Sequence, residues 1–387
     1  MPPIVIRTQP DDPTHATPSP THSRQHSSEQ LLPMKRICIV GAGNWGSAAA
    51  IIIAENVKKY DYYDDTVNMW VYEEIIDGKK LSEIINEQHI NVKYLPDHNL
   101  PENIVAVPDL RDAAAGCNVF IFVIPHQFLI RTCKTLKGQI PDDSIAISLI
   151  KGIDFNEDGV ILMSDIIKRE LSIDVSVLSG ANIANEIAAG KFCESTIGYN
   201  NSDNAIVFFE LFNNRNFRIS LIKDVEAVQV FGALKNVIAL GAGFCDALNM
   251  GNNTKAALIR IGLLEMHRFA SKYFGPIHDA AMVESCGLAD LITTCMGGRN
   301  RRVSEAFARA GGKRSWEELE DEMLKGQKLQ GTSTVLEVMK ILKRDNCLNE
   351  FPFIKLIYQI AYEGAAIPTI VDFPDEHAGD ALDAPDD

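Results

Sequence analysis

The chain has 387 residues, 46% of them hydrophobic, and a formal net charge of −15. A single core stops growing at about 250 to 300 residues, so two domains are expected. The acidity argues against nucleic acid or an anionic membrane as the main partner, while leaving room for a local basic pocket that takes a small phosphate.

Residues 1–33 are dense in Pro, Ser, Thr and His and read as a disordered extension, with Met34 as a candidate alternative start. A mitochondrial transit peptide would be Arg-rich and poor in acid, whereas Asp11, Asp12 and Glu29 stand here. Then "RICIV" reads as a short buried strand and "SAAAIIIAENV" as the helix after it. Between them Gly41, Gly43 and Gly46 fit G-x-G-x-x-G. The first glycine allows the turn, the second lets backbone approach a pyrophosphate, and the third lets the helix pack closely. Such spacing also occurs at plain strand-to-helix turns, but the flanking strand and helix are those the fingerprint requires.

The next strand, "TVNMWVYE", carries Tyr72, then Glu73 and Glu74, where an acidic side chain takes the ribose hydroxyls of NAD. Glu73 stands 32 residues past Gly41, against about 20 in the usual fingerprint. "KKYDYYDD" is therefore read as an insertion, and for Glu74 a solvated strand end is the alternative. The runs "CNVFIFVIP", "SIAISLIKG" and "VSVLSGAN" continue the alternation. They predict a Rossmann-type, doubly wound parallel sheet with helices on both faces. Ligands then sit beyond the carboxyl ends of the strands, at Gly41–Gly46, Tyr72, Glu73, Pro125–Phe128, Lys151, Gly152 and Gly180–Asn182.

From about Asp224 long helical periods take over, predicting an all-helical C-terminal domain. If residues 225–240 are helical, Lys235 shares its face with Phe231, Gly232, Ile238 and Ala239. Asn236 is similarly set, so two adjacent polar groups point into an apolar environment and need partners. Either Lys235 snorkels past its helix to water, or it is a desolvated proton donor. Burial, with Lys151 as a second cation, would carry its pKa from about 10.4 toward about 7 or 8. "GGRNRR", at 297–302, precedes another helical run and suits an anion, through free N–H groups and a guanidinium fork; a basic solvated helix start is the alternative. Asp290 and Thr294, four apart, share a helix face upstream of it. "GQKLQG" offers Lys328 and Gln330 on a loop that is either a flap or only a turn. The eight cysteines show no C-x-x-C pair and no zinc spacing, as expected of reduced thiols and of a chain without a metal site. No apolar run is read as a membrane span. The end of the chain is an acidic tail without a Ser-Lys-Leu address.

With "VGAGNWGS", "PHQF", "SLIKG", "GANIANEIA", "KFCESTIG", "GALKNVIALGAGFCDAL", "ESCGLADLITTC", "GGRNR" and "GQKLQG" in this order, the chain closely resembles the eukaryotic cytosolic NAD-dependent glycerol-3-phosphate dehydrogenases, from about Lys35 to about Gly364. The resemblance implies an NAD-binding domain at 34–223, a helical substrate-binding and catalytic domain at 224–372, and a tail at 373–387. It implies cofactor contacts at Gly41, Gly43, Asn44, Trp45, Gly46, Tyr72 (often phenylalanine in the family), Phe128, Lys151, Ala184, Arg299, Lys328 and Gln330. The family's proton-donating lysine falls on Lys235 and its substrate-holding residues on Lys151, Asn236, Arg299 and Asn300, with Asp290 and Thr294 lining the site. Reversible NADH-dependent reduction of dihydroxyacetone phosphate, a cytoplasmic location and a homodimer are implied with it. Two rivals remain: a dehydrogenase of similar plan acting on a carboxylate, and an NAD-sensing protein without turnover.

Overall fold

The protein is described from a computed structural model that covers residues 34–156, 159–324 and 328–373. The N-terminal extension, all of the acidic tail but Phe373, and Gly326 and Gln327 of the "GQKLQG" loop lie outside the described residues.

Eight strands form the main sheet: β1 (Lys35–Val40), β2 (Tyr63–Trp70), β3 (Ile104–Val107), β4 (Val119–Phe122), β5 (Ile145–Ser148), β6 (Asp174–Ser179), β7 (Cys193–Gly198) and β8 (Phe217–Ile222). Their order across the sheet is β3-β2-β1-β4-β5-β6-β7-β8. The strands from β3 to β6 are parallel, and β7 runs antiparallel to β6. The five strands expected from the sequence, β1, β2, β4, β5 and β6, all lie in the parallel part, and the antiparallel β7 is an addition to it. The link from β6 to β7 contains only α6 (Ala184–Ala188), a helix of 5 residues. That is too short to carry the chain back along the sheet, so it returns as a reverse pairing. β2 starts at Tyr63, so the last three residues of the supposed insertion, Tyr63, Asp64 and Asp65, are strand; buried Tyr63, Val67 and Met69 keep its alternation.

The strands alternate between two cores. Ile37, Ile39, Val119 and Ile121 face one, Cys38, Val40, Phe120 and Phe122 the other, as the two-residue period demands. Helices α1 (Asn44–Asn56), α2 (Leu81–Gln88), α3 (Leu110–Ala114), α4 (Leu129–Leu136), α5 (Met163–Leu171), α6 and α7 (Ser202–Phe212) link the strands.

A third core surrounds α8 (Val225–Ala247). Asp224 caps it, accepting from Ala227 N at 2.8 Å. An 18-residue window of α8 has mean hydropathy 1.5, enough by length and composition for a membrane span, but it is interrupted by Lys235 and the whole window is buried inside the protein. A helix apolar all round is a core helix when other helices enclose it. Here they are α9 (Asn252–Phe274), α11 (Asp290–Gly297), α12 (Arg299–Arg309), α14 (Gln330–Arg344) and α15 (Pro352–Tyr362), with α10 (Ala280–Val283) and α13 (Trp316–Leu324) further out.

Candidate active site

The registers Val40↔Phe122, Phe122↔Ser148 and Ser148↔Val177 put the carboxyl ends of β1, β4, β5 and β6 at one level. The glycine loop leaves β1 there. Gly41 has φ +124°, and a Cβ on it would meet Ile124 and the Val123 carbonyl at 2.8 Å, so both conformation and space demand glycine. A Cβ on Gly46 would strike the Gly41 carbonyl. Gly43 differs: nothing lies within 4 Å of where its Cβ would stand. It is also the N-cap of α1, with no capping side chain and no acidic residue in the first turn. An open cradle at an uncapped helix N-terminus fits a pyrophosphate.

Residues distant in sequence hold this loop. Asn91, fully buried, donates to the Ala42 carbonyl at 2.8 Å and Ser47 Oγ at 2.9 Å. Asn44 donates to the Tyr94 carbonyl at 2.6 Å and to Asn185 Oδ1 at 2.8 Å, next to buried Ala184. Trp45 packs toward Phe217 at 6.2 Å between ring centroids. Tyr72 is 75% exposed and Phe128 51%, rings standing free beyond β2 and β4. Asn91 went unnoticed in the sequence because nothing in its spacing links it to the glycines.

The second half of the site is electrostatic. Lys235, 4% exposed, forms an ion pair with Asp290, which is 3% exposed. Lys151 Nζ lies 3.8 Å from the same Asp290 oxygen and donates to the Gly180 carbonyl at 3.5 Å, with its side chain still 31% exposed. Lys235 therefore does not snorkel. Burial lowers its pKa to about 8; Asp290 opposes that shift and Lys151 adds to it. A π-helical turn, Ser285–Ala289, precedes Asp290 at the start of α11, and Thr294 Oγ1 donates to the Asp290 carbonyl at 2.6 Å.

Asn236, beside Lys235, finds its partners in tertiary structure. Asn300 Nδ2 donates to Asn236 Oδ1 at 2.9 Å, and Asn300 Oδ1 accepts from Gly331 N at 2.9 Å. A Cβ on Gly331 would run into the Asn236 carbonyl, so the start of α14, with Gln330, is pressed against this part of α8. Arg299 is the first residue of α12, exposed at a helix start with no side-chain cap and no acid in its first turn. Lys328 is not brought in: it is 70% exposed at the side chain and tied to Glu320 at 2.7 Å. Glu73 and Glu74 are also otherwise engaged, against the simplest reading of the fingerprint. Glu73 accepts from Ser82 N at 3.1 Å and Ser82 Oγ at 2.6 Å, and Glu74 pairs with Lys93.

A dinucleotide seat at the switch point of a doubly wound sheet, with a buried lysine of lowered pKa in the helical half, has the form of a nicotinamide-dependent oxidoreductase. Two family models match the chain, the NAD-dependent glycerol-3-phosphate dehydrogenase N-terminus over residues 36–205 and the C-terminus over 224–372. Glycerol-3-phosphate dehydrogenase 1-like protein of Xenopus tropicalis is 54% identical over 346 residues, covering 89% of this chain and 97% of the relative. The cytoplasmic NAD(+) glycerol-3-phosphate dehydrogenase of Bos taurus is 52% identical over 86% of this chain and 95% of its own. A solved glycerol-3-phosphate dehydrogenase from Saccharomyces cerevisiae superposes with a TM-score of 0.84 at 42% identity, covering 88% and 99% of the two chains. The chain belongs to the NAD-dependent glycerol-3-phosphate dehydrogenase family, and its cofactor is NAD.

Proposed function

We propose that the chain reversibly reduces dihydroxyacetone phosphate to sn-glycerol 3-phosphate, with residues 34–223 as its NAD-binding domain and 224–372 as its substrate-binding and catalytic domain. The observation that carries the chemistry is Lys235, buried, paired with Asp290 and poised near neutrality with its pKa at about 8. That is where a group able both to give and to take a proton should titrate.

When bound, the nicotinamide supplies hydride to the carbonyl carbon and takes it back in the reverse reaction. Lys235 donates a proton from Nζ to the carbonyl oxygen as charge develops there. Lys151, on the same Asp290 oxygen and still partly open, stabilises that charge and helps depress Lys235. Asp290 keeps the ammonium from being lost entirely, and Thr294 holds the helix turn that carries it. Arg299 and the uncapped start of α12 take the phosphate, while Asn236 and Asn300, locked to each other, orient the substrate hydroxyl. Gly41, Gly43 and Gly46 shape the pyrophosphate seat, Asn44 and Trp45 open α1, and Tyr72, Phe128, Ala184 and Gln330 line the remaining cofactor surface. Lys328 joins them only after leaving Glu320. Cytoplasmic location and a homodimer complete the proposal, the first by likeness to relatives named as cytoplasmic. Loss of NADH absorbance on adding dihydroxyacetone phosphate tests it; turnover of a carboxylate-bearing ketone instead, or none, would overturn it.

A further inference from the structure

The two carboxylates beyond β2 stand where the adenosine ribose of a bound dinucleotide lies, yet each is committed elsewhere. Glu73 caps the start of α2 through Ser82. Glu74 pairs with Lys93 and accepts from the Tyr94 hydroxyl at 3.1 Å. Neither member of that pair is deeply buried, with side chains 26% and 36% exposed, so both lie within reach of a ligand. The Lys93 ammonium also sits 4.9 Å from the centre of the Tyr94 ring. Tyr94 is in turn bound to the glycine loop, because its carbonyl accepts from Asn44 at 2.6 Å. Lys93 is thus anchored between the pyrophosphate seat and the end of β2. The other lysines of this segment point along α2: Lys79 pairs with Glu87 at 3.8 Å and Lys80 with Glu83 at 3.4 Å.

We propose that Glu74 sets the preference for NAD over its 2′-phosphorylated form by occupying Lys93, the cation a 2′-phosphate would otherwise recruit. The inference rests on the cofactor seat at the glycine loop. A phosphate monoester brings close to two negative charges. With Glu74 ionised, that charge meets a carboxylate and a lysine already neutralised. Glu74→Gln keeps the shape and the hydrogen bond to Tyr94, removes the repulsion and releases Lys93. A carboxylate that merely bound ribose hydroxyls would behave otherwise, since its loss would weaken NADH without improving NADPH.

The test is fluorescence titration of the full chain with NADH and with NADPH, without substrate. Glu74→Gln should lower the NADPH dissociation constant, and with it the ratio of NADPH to NADH dissociation constants, by about tenfold while leaving that of NADH nearly unchanged, and the gain should fade in high salt. Adding Lys93→Met to Glu74→Gln should abolish the gain. Lys93→Met alone, should Glu74→Gln fold poorly, should raise the ratio by baring Glu74. An unchanged ratio in either single variant, or a gain that survives in the double variant, overturns the proposal while leaving the seat intact. A parent chain that binds neither nucleotide overturns both.

Discussion

Lys235 makes the pH dependence of turnover a direct readout of its surroundings. Its pKa of about 8, down from 10.5, is set first by burial, then against that by Asp290, then by Lys151. Reduction of the ketone needs the protonated amine, so kcat should be flat below about pH 8 and fall above it, while oxidation of the alcohol should rise through the same window. Asp290→Asn removes the group that raises the pKa and keeps the one that lowers it, so the falling limb should move to lower pH. Lys235→Ala should remove the limb and lower kcat by about 10² to 10⁴. The fold bears on that variant too. A lysine whose folded pKa lies below its unfolded one costs stability at neutral pH, about 3 kcal/mol here, and the cost is relieved as pH rises from about 8 to 10.5. Deleting it removes that cost but strips Asp290 of its partner, a loss of about 3 to 5 kcal/mol for an uncompensated buried charge. Lys151, 3.8 Å away, compensates in part, so a modest drop in melting temperature is expected. The assay is initial-rate NADH absorbance across buffers of constant ionic strength. Retention of the limb near pH 8 in Lys235→Ala, or its upward movement in Asp290→Asn, would refute the assignment of the proton donor.

Arg299→Ala should raise KM for dihydroxyacetone phosphate strongly, with kcat falling less; rates with dihydroxyacetone lacking the phosphate should be nearly indifferent to it and still sensitive to Lys235→Ala. Gly43→Val should fold normally and lose NADH affinity, since its side chain enters open space at the pyrophosphate seat. Gly41→Val should lose melting temperature as well, because it meets Ile124 and the Val123 carbonyl at 2.8 Å; equal stability of the two variants would contradict the packing. Gly331→Ala should push α14 off Asn236, and with the Asn300 link weakened it should cost about 1 to 3 kcal/mol and reduce turnover. Denaturant melts and steady-state rates on one preparation check both effects.

Local chemistry is what the sequence by itself determined. The strand, glycine spacing and helix at 35–56 follow from two-residue and helical periods acting over a few turns, and the apolar run around Lys235 announces a lysine without water. The many ordered motifs carry the family. Tertiary structure alone decided the partners. Asp290 lies 55 residues from Lys235, and no periodicity reaches that far; only the packing of α11 on α8 puts the carboxylate against the ammonium. The same holds for Asn91 behind the glycine loop, for Asn300 on Asn236, and for the reversed β7, which a short α6 imposed. Glu73 and Glu74 illustrate the limit most plainly. Their position beyond β2 could be read from the chain, but whether a carboxylate there is free to meet a ribose depends on Ser82 and Lys93, which folding brings alongside them.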